Sequence, residues 1–103
     1  MNKKELEDLF DKYDVLGSMD LAYGDLDDLL VGSGVEVELV YENDWGEDAS
    51  SYIEVVYKLT NHQGITFVEF TGHYDSWGDS EVNDTFSIVE PYQEMVTRYK
   101  KVK

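Results

Sequence analysis

The apolar residues of this chain change their spacing at Gly32-Ser33-Gly34. Before that break they recur at helical intervals, and after it they alternate. Leu6, Leu9, Phe10 and Tyr13 fall at i, i+3, i+4 and i+7, which predicts a helix over 3–13 with one apolar stripe. Asn2 can cap its start with Glu5 three residues on, and Gly17 ends the unit. A shorter helical segment is predicted over Asp25–Val31, with Leu26, Leu29 and Leu30 on one face. Asp25, Asp27 and Asp28 sit in its first turn, where the helix dipole favours anions.

From Val35 the period is two. Val35, Val37, Leu39 and Tyr41 alternate with Glu36, Glu38, Val40 and Glu42, which predicts a half-buried strand with an acidic outer face. Tyr52–Thr60 follows the same rule, with Ile53, Val55, Tyr57 and Leu59 inward. Asn61–Gly64 is read as a turn, and Ile65–Tyr74 as a third strand. Thr85–Glu90 and Glu94–Tyr99 are read as two more, parted by Pro91. The expected architecture is α+β: N-terminal helices packed on an antiparallel meander of four or five strands. One domain is expected over 1–103, helical over 1–31 and sheet over 35–102.

Charge is the second constraint. Tyr13–Tyr57 spans 45 residues with no lysine or arginine and twelve carboxylates. Lys58 is the only cation between Tyr13 and Thr97, and the others lie at the two ends. The formal net charge of −15 makes self-repulsion a stability cost, and the field it creates favours basic protein surfaces over nucleic acid or anionic membrane. With 42% apolar residues and 14% aromatics the chain is expected to fold rather than form an acidic disordered tail. No cysteine is present, which excludes disulfides, thiolate zinc sites and a cysteine nucleophile. The opening MNKKELEDLF is unlike a signal peptide, and the expected location is the cytoplasm of a bacterial cell.

The meander places two long loops, Asn43–Ser51 and Asp75–Asp84, at one end of the sheet. Each carries a Trp-Gly pair among acids. That end is expected to present Trp45 and Trp77 beside Asp44, Glu47, Asp48, Asp75, Asp79, Glu81 and Asp84. Tryptophan among like charges in loops is a pattern of binding surfaces.

Catalytic signatures are not found. His62 and His73 are the only histidines and are expected at opposite ends of one strand, too far apart for a shared site. Walker and Rossmann patterns are absent, and no EF-hand spacing occurs. The chain is therefore read as a non-enzyme without cofactor or dedicated metal. The loop acids leave a calcium-binding module open as an alternative.

Tyr74-Asp75-Ser76-Trp77 with Glu81, then Val89-Glu90-Pro91, then Val96-Thr97-Arg98-Tyr99, resembles the end of a group of small acidic proteins from bacteriophages and prophages. The likeness covers residues 74–99, about a quarter of the chain. Gly78 precedes the position where that loop usually has its glycine. The resemblance implies a phage origin and supplies no catalytic residues.

Carboxylates on a rigid scaffold can occupy the Lys/Arg contacts that phosphates make. The resulting expectation is an acidic inhibitor or interaction protein that imitates nucleic-acid charge. It would block the basic site of a host nucleic-acid-binding protein, such as a CRISPR or other defence nuclease. Glu36, Glu38, Glu42 and Glu54 would form the strand-face group, and Asp44, Glu47, Asp48, Asp75, Asp79 and Glu81 the loop group. Trp45 and Trp77 would be anchors. The reading admits a homodimer. The other alternative is a phage structural or accessory protein acting through protein contacts.

Overall fold

The computed structural model describes residues 1–42, 52–74 and 80–91. Its order is α1 (Lys3–Lys12), a 3-10 turn (Met19–Leu21), α2 (Leu26–Leu29), β1 (Glu36–Glu42), β2 (Tyr52–Asn61), β3 (Gly64–His73), β4 (Glu81–Val82) and β5 (Ser87–Val89). The arrangement is α+β, with the N-terminal helices followed by an antiparallel sheet.

Helix α1 starts where the capping residues predict. The Asn2 side chain accepts from the Glu5 N–H at 2.8 Å, and the Glu5 carboxylate accepts from the Asn2 N–H at 2.9 Å. Its stripe buries Leu6 and Phe10 fully. Phe10 meets Phe70 at 5.5 Å and Phe86 edge-on at 5.1 Å between ring centroids. These contacts set α1 against β3 and the chain leading into β5. The second predicted helix is a single turn, and the 3-10 turn before it has no counterpart in the sequence reading.

The sheet runs β1-β2-β3-β4, and β5 also pairs with β3. β4 opposes Gly72 and His73, while β5 opposes Phe67–Glu69. The two short strands are thus one interrupted fourth strand. Asn83 holds the break, its N–H donating to the Thr71 carbonyl at 2.8 Å and its side-chain amide to Thr71 Oγ1 at 3.0 Å. This segment extends the predicted Thr85–Glu90 strand towards the N-terminus. The turn between β2 and β3 is tighter than expected, because Asn61 and Gly64 already pair. The predicted strand at Glu94–Tyr99 lies outside the described residues.

The inner face buries Ile53, Val55, Tyr57 and Leu59 from β2 with Val68 and Phe70 from β3, against Leu6, Phe10, Leu21, Leu26 and Leu30 from the helical layer. One inward assignment is corrected. Leu39 pairs with Tyr57 but Tyr41 pairs with Val56, so Val40 is an extra residue, a β-bulge. The extra residue reverses the alternation. Tyr41 turns to the outer face with Val56, and Glu42 comes opposite the buried Val55. Among the described residues, no helix is long and apolar enough to cross a membrane.

Candidate acidic interface

Strand β1 lies at one edge of the sheet, and the helical layer brings α2 onto it. Gly24 makes the approach with a positive φ of 86°, and a Cβ built there would stand 3.3 Å from Leu39 Cδ2. Only a residue with no side chain allows both the turn and that contact without strain. The α2 acids therefore flank the same edge as the β1 acids.

The carboxylates divide between the two faces of that edge. Glu36 and Glu38 stand exposed on the outer face, two residues apart on β1, which is ~7 Å along a strand. Glu42 is exposed on the other side, where the bulge puts it. Ligand oxygens of Asp25, Asp27 and Asp28 lie within 4.8 Å of one another. The Tyr57 phenol senses the inner group. Burial pushes its pKa up most, and Asp25, Glu42 and Asp27 push the same way, while a backbone hydrogen bond from Leu26 opposes.

Few cations answer these acids. Lys58 is opposite Glu38 in register, with Nζ 4.0 Å from Oε1 and both groups partly exposed, a weak pair. The other described lysines belong to α1. Lys4 pairs with Asp8 at 3.5 Å, Lys3 lies 5.7 Å over the Phe86 ring, and Lys12 lies 5.6 Å over Tyr13. β1 and α2 thus carry acids and no lysine or arginine, whereas the α1 lysines are interspersed with Glu5, Glu7, Asp8 and Asp11.

A second acidic feature sits on the outer face of β2 and β3. Glu54 pairs with Thr71 and Val56 with Glu69, so Glu54 and Glu69 are diagonal neighbours. Partial burial raises the Glu69 pKa, helped by a hydrogen bond to Glu54 and then by that group's charge. Two carboxyls joined in this way hold a proton between them more readily than either would alone.

The predicted strand-face group is therefore corrected. Glu36 and Glu38 share a face, but their cross-strand partners are Thr60 and Lys58 and not Glu54. Glu54 lies four residues further along β2, ~13 Å away, beside Glu69. Glu42 is on the opposite face from Glu36 and Glu38. Of the loop group, Asp44, Trp45, Glu47, Asp48, Asp75, Trp77 and Asp79 lie outside the described residues. Glu81 is on β4 opposite His73, both exposed. The two loops do leave the sheet at one end, because Tyr52 pairs with His73. His62 is in the turn that precedes β3 and His73 is the last residue of β3, so the strand's length separates them.

Sequence reasoning missed Glu69, and it saw Asp25 and Asp28 as a helical pair of like charges without placing them in the binding group. The α2 triad was legible as three acids in one helical turn. Glu69 was not, because its neighbour is set by register alone. Asp25, Asp27 and Asp28 could each offer one oxygen to a cation, against the six or more that calcium takes. No protein-family model matches this chain, and neither the curated proteins nor the solved structures contain a match.

Proposed function

We propose that this protein acts without chemistry, as an acidic interaction protein that occupies the basic nucleic-acid site of another protein. One observation carries the reading: carboxylates line both faces of the β1 edge, and Lys58 is the only lysine or arginine that α2, β1 and β2 carry. Like charges held this close repel, and a cationic cleft would relieve that cost while steering association. Glu36 and Glu38 would stand in for successive backbone charges, which nucleic acid supplies at one per ~3.4 Å of strand rise. Asp27, Asp28 and Glu42 would reach the opposite wall of the cleft. The partner is a nucleic-acid enzyme of a bacterial host, with defence nucleases, CRISPR effectors among them, the first candidates. The resemblance of residues 74–99 to phage and prophage proteins supports a phage origin.

Capture from bacterial lysate at low salt tests the reading. A single nucleic-acid enzyme should be retained and released by added DNA or RNA as well as by salt. The variant Glu36→Lys/Glu38→Lys/Asp28→Lys should lose that capture while unfolding with an unchanged cooperative transition. Capture that survives the charge reversal, or that nucleic acid does not compete away, overturns the proposal.

A further inference from the structure

The outer face of the sheet carries an apolar groove of about 340 Å³, lined by Val40, Tyr41, Val56, Phe67, Val89 and Pro91 with Glu90 in its wall. Val40 and Tyr41 are 43% and 49% exposed, large values for apolar groups that share one concave surface. Register explains how the groove forms. Tyr41 is opposite Val56, Phe67 is opposite Val89, and Val56 is diagonal to Phe67 across the β2–β3 pair, so the apolar side chains step obliquely across β1, β2, β3 and β5 as a belt. Four strands span ~14 Å at their usual spacing.

Acids bracket this belt. On one side lie Glu54 and Glu69, diagonal neighbours across the β2–β3 pair. On the other lie Glu36 and Glu38, with Lys58 standing between Glu38 and Phe67 and paired with Glu38 at 4.0 Å. Glu90 closes the end beside Val89. An apolar strip between two acidic shoulders is complementary to an apolar strip between two basic ones.

We propose that this groove receives a short basic amphipathic helix of the partner protein. The helix would lay its apolar stripe on Tyr41, Val56, Phe67 and Val89, with Lys/Arg shoulders on Glu54–Glu69 and Glu36–Glu38. The inference rests on the reading of the chain as an acidic partner of basic proteins, and it adds the chemistry of the segment recognised. The belt runs across the strands, whose backbone groups already pair within the sheet, so an occupant must satisfy its own backbone. A helix does so, and ~14 Å corresponds to about nine residues. A lysine or arginine entering between Glu54 and Glu69 would answer both carboxylates at once. A second copy is a poor occupant, because it would set these carboxylates against their own image at −15 per chain. The chain's own residues 92–103 carry Arg98, Lys100, Lys101 and Lys103 and are the competing occupant that the experiment must separate.

The probe is a capped, labelled peptide of about twelve residues with a leucine stripe and lysines on both shoulders. Its control has the same composition in scrambled order. Anisotropy titrations against the full chain should show the striped peptide binding at least about tenfold tighter than the control. Val56→Lys should remove that preference, Val56→Thr should reduce it, and Glu54→Gln/Glu69→Gln should weaken the striped peptide severalfold. Thermal unfolding of each variant verifies its fold. Equal binding of the two peptides overturns the inference, as does a preference that survives Val56→Lys. A preference that appears only after Arg98, Lys100, Lys101 and Lys103 are changed to glutamine assigns the groove to the chain itself and overturns it too. A dimer that the peptide cannot dissociate does the same in favour of a second copy. Equal peptide binding with nucleic-acid-competed capture intact overturns the groove assignment alone, whereas loss of that capture overturns the wider reading.

Discussion

The phenol of Tyr57, in the middle of β2, donates its hydrogen to the backbone carbonyl of Leu21, 36 positions earlier in the chain. This bond ties the 3-10 turn to the sheet beneath it. Both residues are fully buried. Tyr57→Phe keeps the ring and its packing on Phe70 but leaves a buried carbonyl without this donor. The expected cost is about 1–3 kcal/mol, read as a lower midpoint in urea unfolding.

The same phenol predicts an alkaline effect. Burial raises its pKa in the folded state, and Asp25, Glu42 and Asp27 add to the rise. A group raised on folding contributes stability that is complete below its unfolded value, about 10 for tyrosine. That contribution is lost as pH climbs from there towards the folded value. Wild-type stability should therefore fall above about pH 10, and Tyr57→Phe should remove the part of the slope that belongs to this residue. Equal slopes in the two proteins would show that Tyr57 ionises without unfolding.

How far the fold could be read in advance depended on whether a feature is local. The capping pair Asn2 and Glu5, the stripe of Leu6 and Phe10, and the alternation in β2 each declare themselves within a few residues. Features that depend on register do not. Nothing local says that Val40 is the extra residue of a bulge, yet it reverses the faces of Tyr41 and Glu42. Nothing local says that Glu54 adjoins Glu69 and not Glu38, because that neighbour is chosen by how two strands align. β4 was unreadable for a third reason. Its two residues pair with β3 where Gly72 gives them room, and so short a strand has no period.

Gly72 is the tightest point of the sheet. A Cβ there would collide with the Glu81 carbonyl oxygen and come within 2.7 Å of Val82 Cα. Both are backbone positions and cannot rotate aside. Gly72→Ala should therefore push β4 off β3, at about 1–3 kcal/mol for an overpacked core site. Hydrogen exchange should show faster exchange at Val82 and Asn83 than at the β2–β3 pairs. Unchanged protection there would mean that the close approach is not maintained in solution.

Glu69 predicts a difference on the acid side. Partial burial raises its pKa, and the hydrogen bond to Glu54 and that group's charge act in the same direction. Its stabilising contribution is complete below the usual glutamate value of about 4.3 and is lost as pH rises through the raised folded value. Part of the chain's loss of stability between acid and neutral pH thus belongs to this pair. Glu69→Gln holds a neutral partner for Glu54 at every pH. Its melting temperature should change less than that of the wild type between about pH 4.5 and 7.5. Identical pH profiles would show that the two carboxyls titrate independently.

The bulge makes the last prediction, and it runs against the usual expectation for a strand. In a regularly alternating strand, removing one residue turns everything beyond it to the wrong face. Here Val40 is the surplus residue between the pairs Leu39–Tyr57 and Tyr41–Val56. Deleting it should leave both pairs in place, with Tyr41 still outward and Glu42 still opposite Val55. The deletion should therefore unfold cooperatively with its core intact, whereas deleting Val37 from the same strand should be severely destabilising. What the deletion removes is the irregularity of an exposed edge, and bulges are one of the devices that discourage edge-to-edge pairing. Sedimentation at rising salt, where the carboxylates of β1 are screened, should show the Val40 deletion associating more than the wild type. A monomer at every salt concentration would assign edge protection to Glu36 and Glu38 themselves. A deletion as damaging as that of Val37 would show that the alternation of β1 does not reset at Val40.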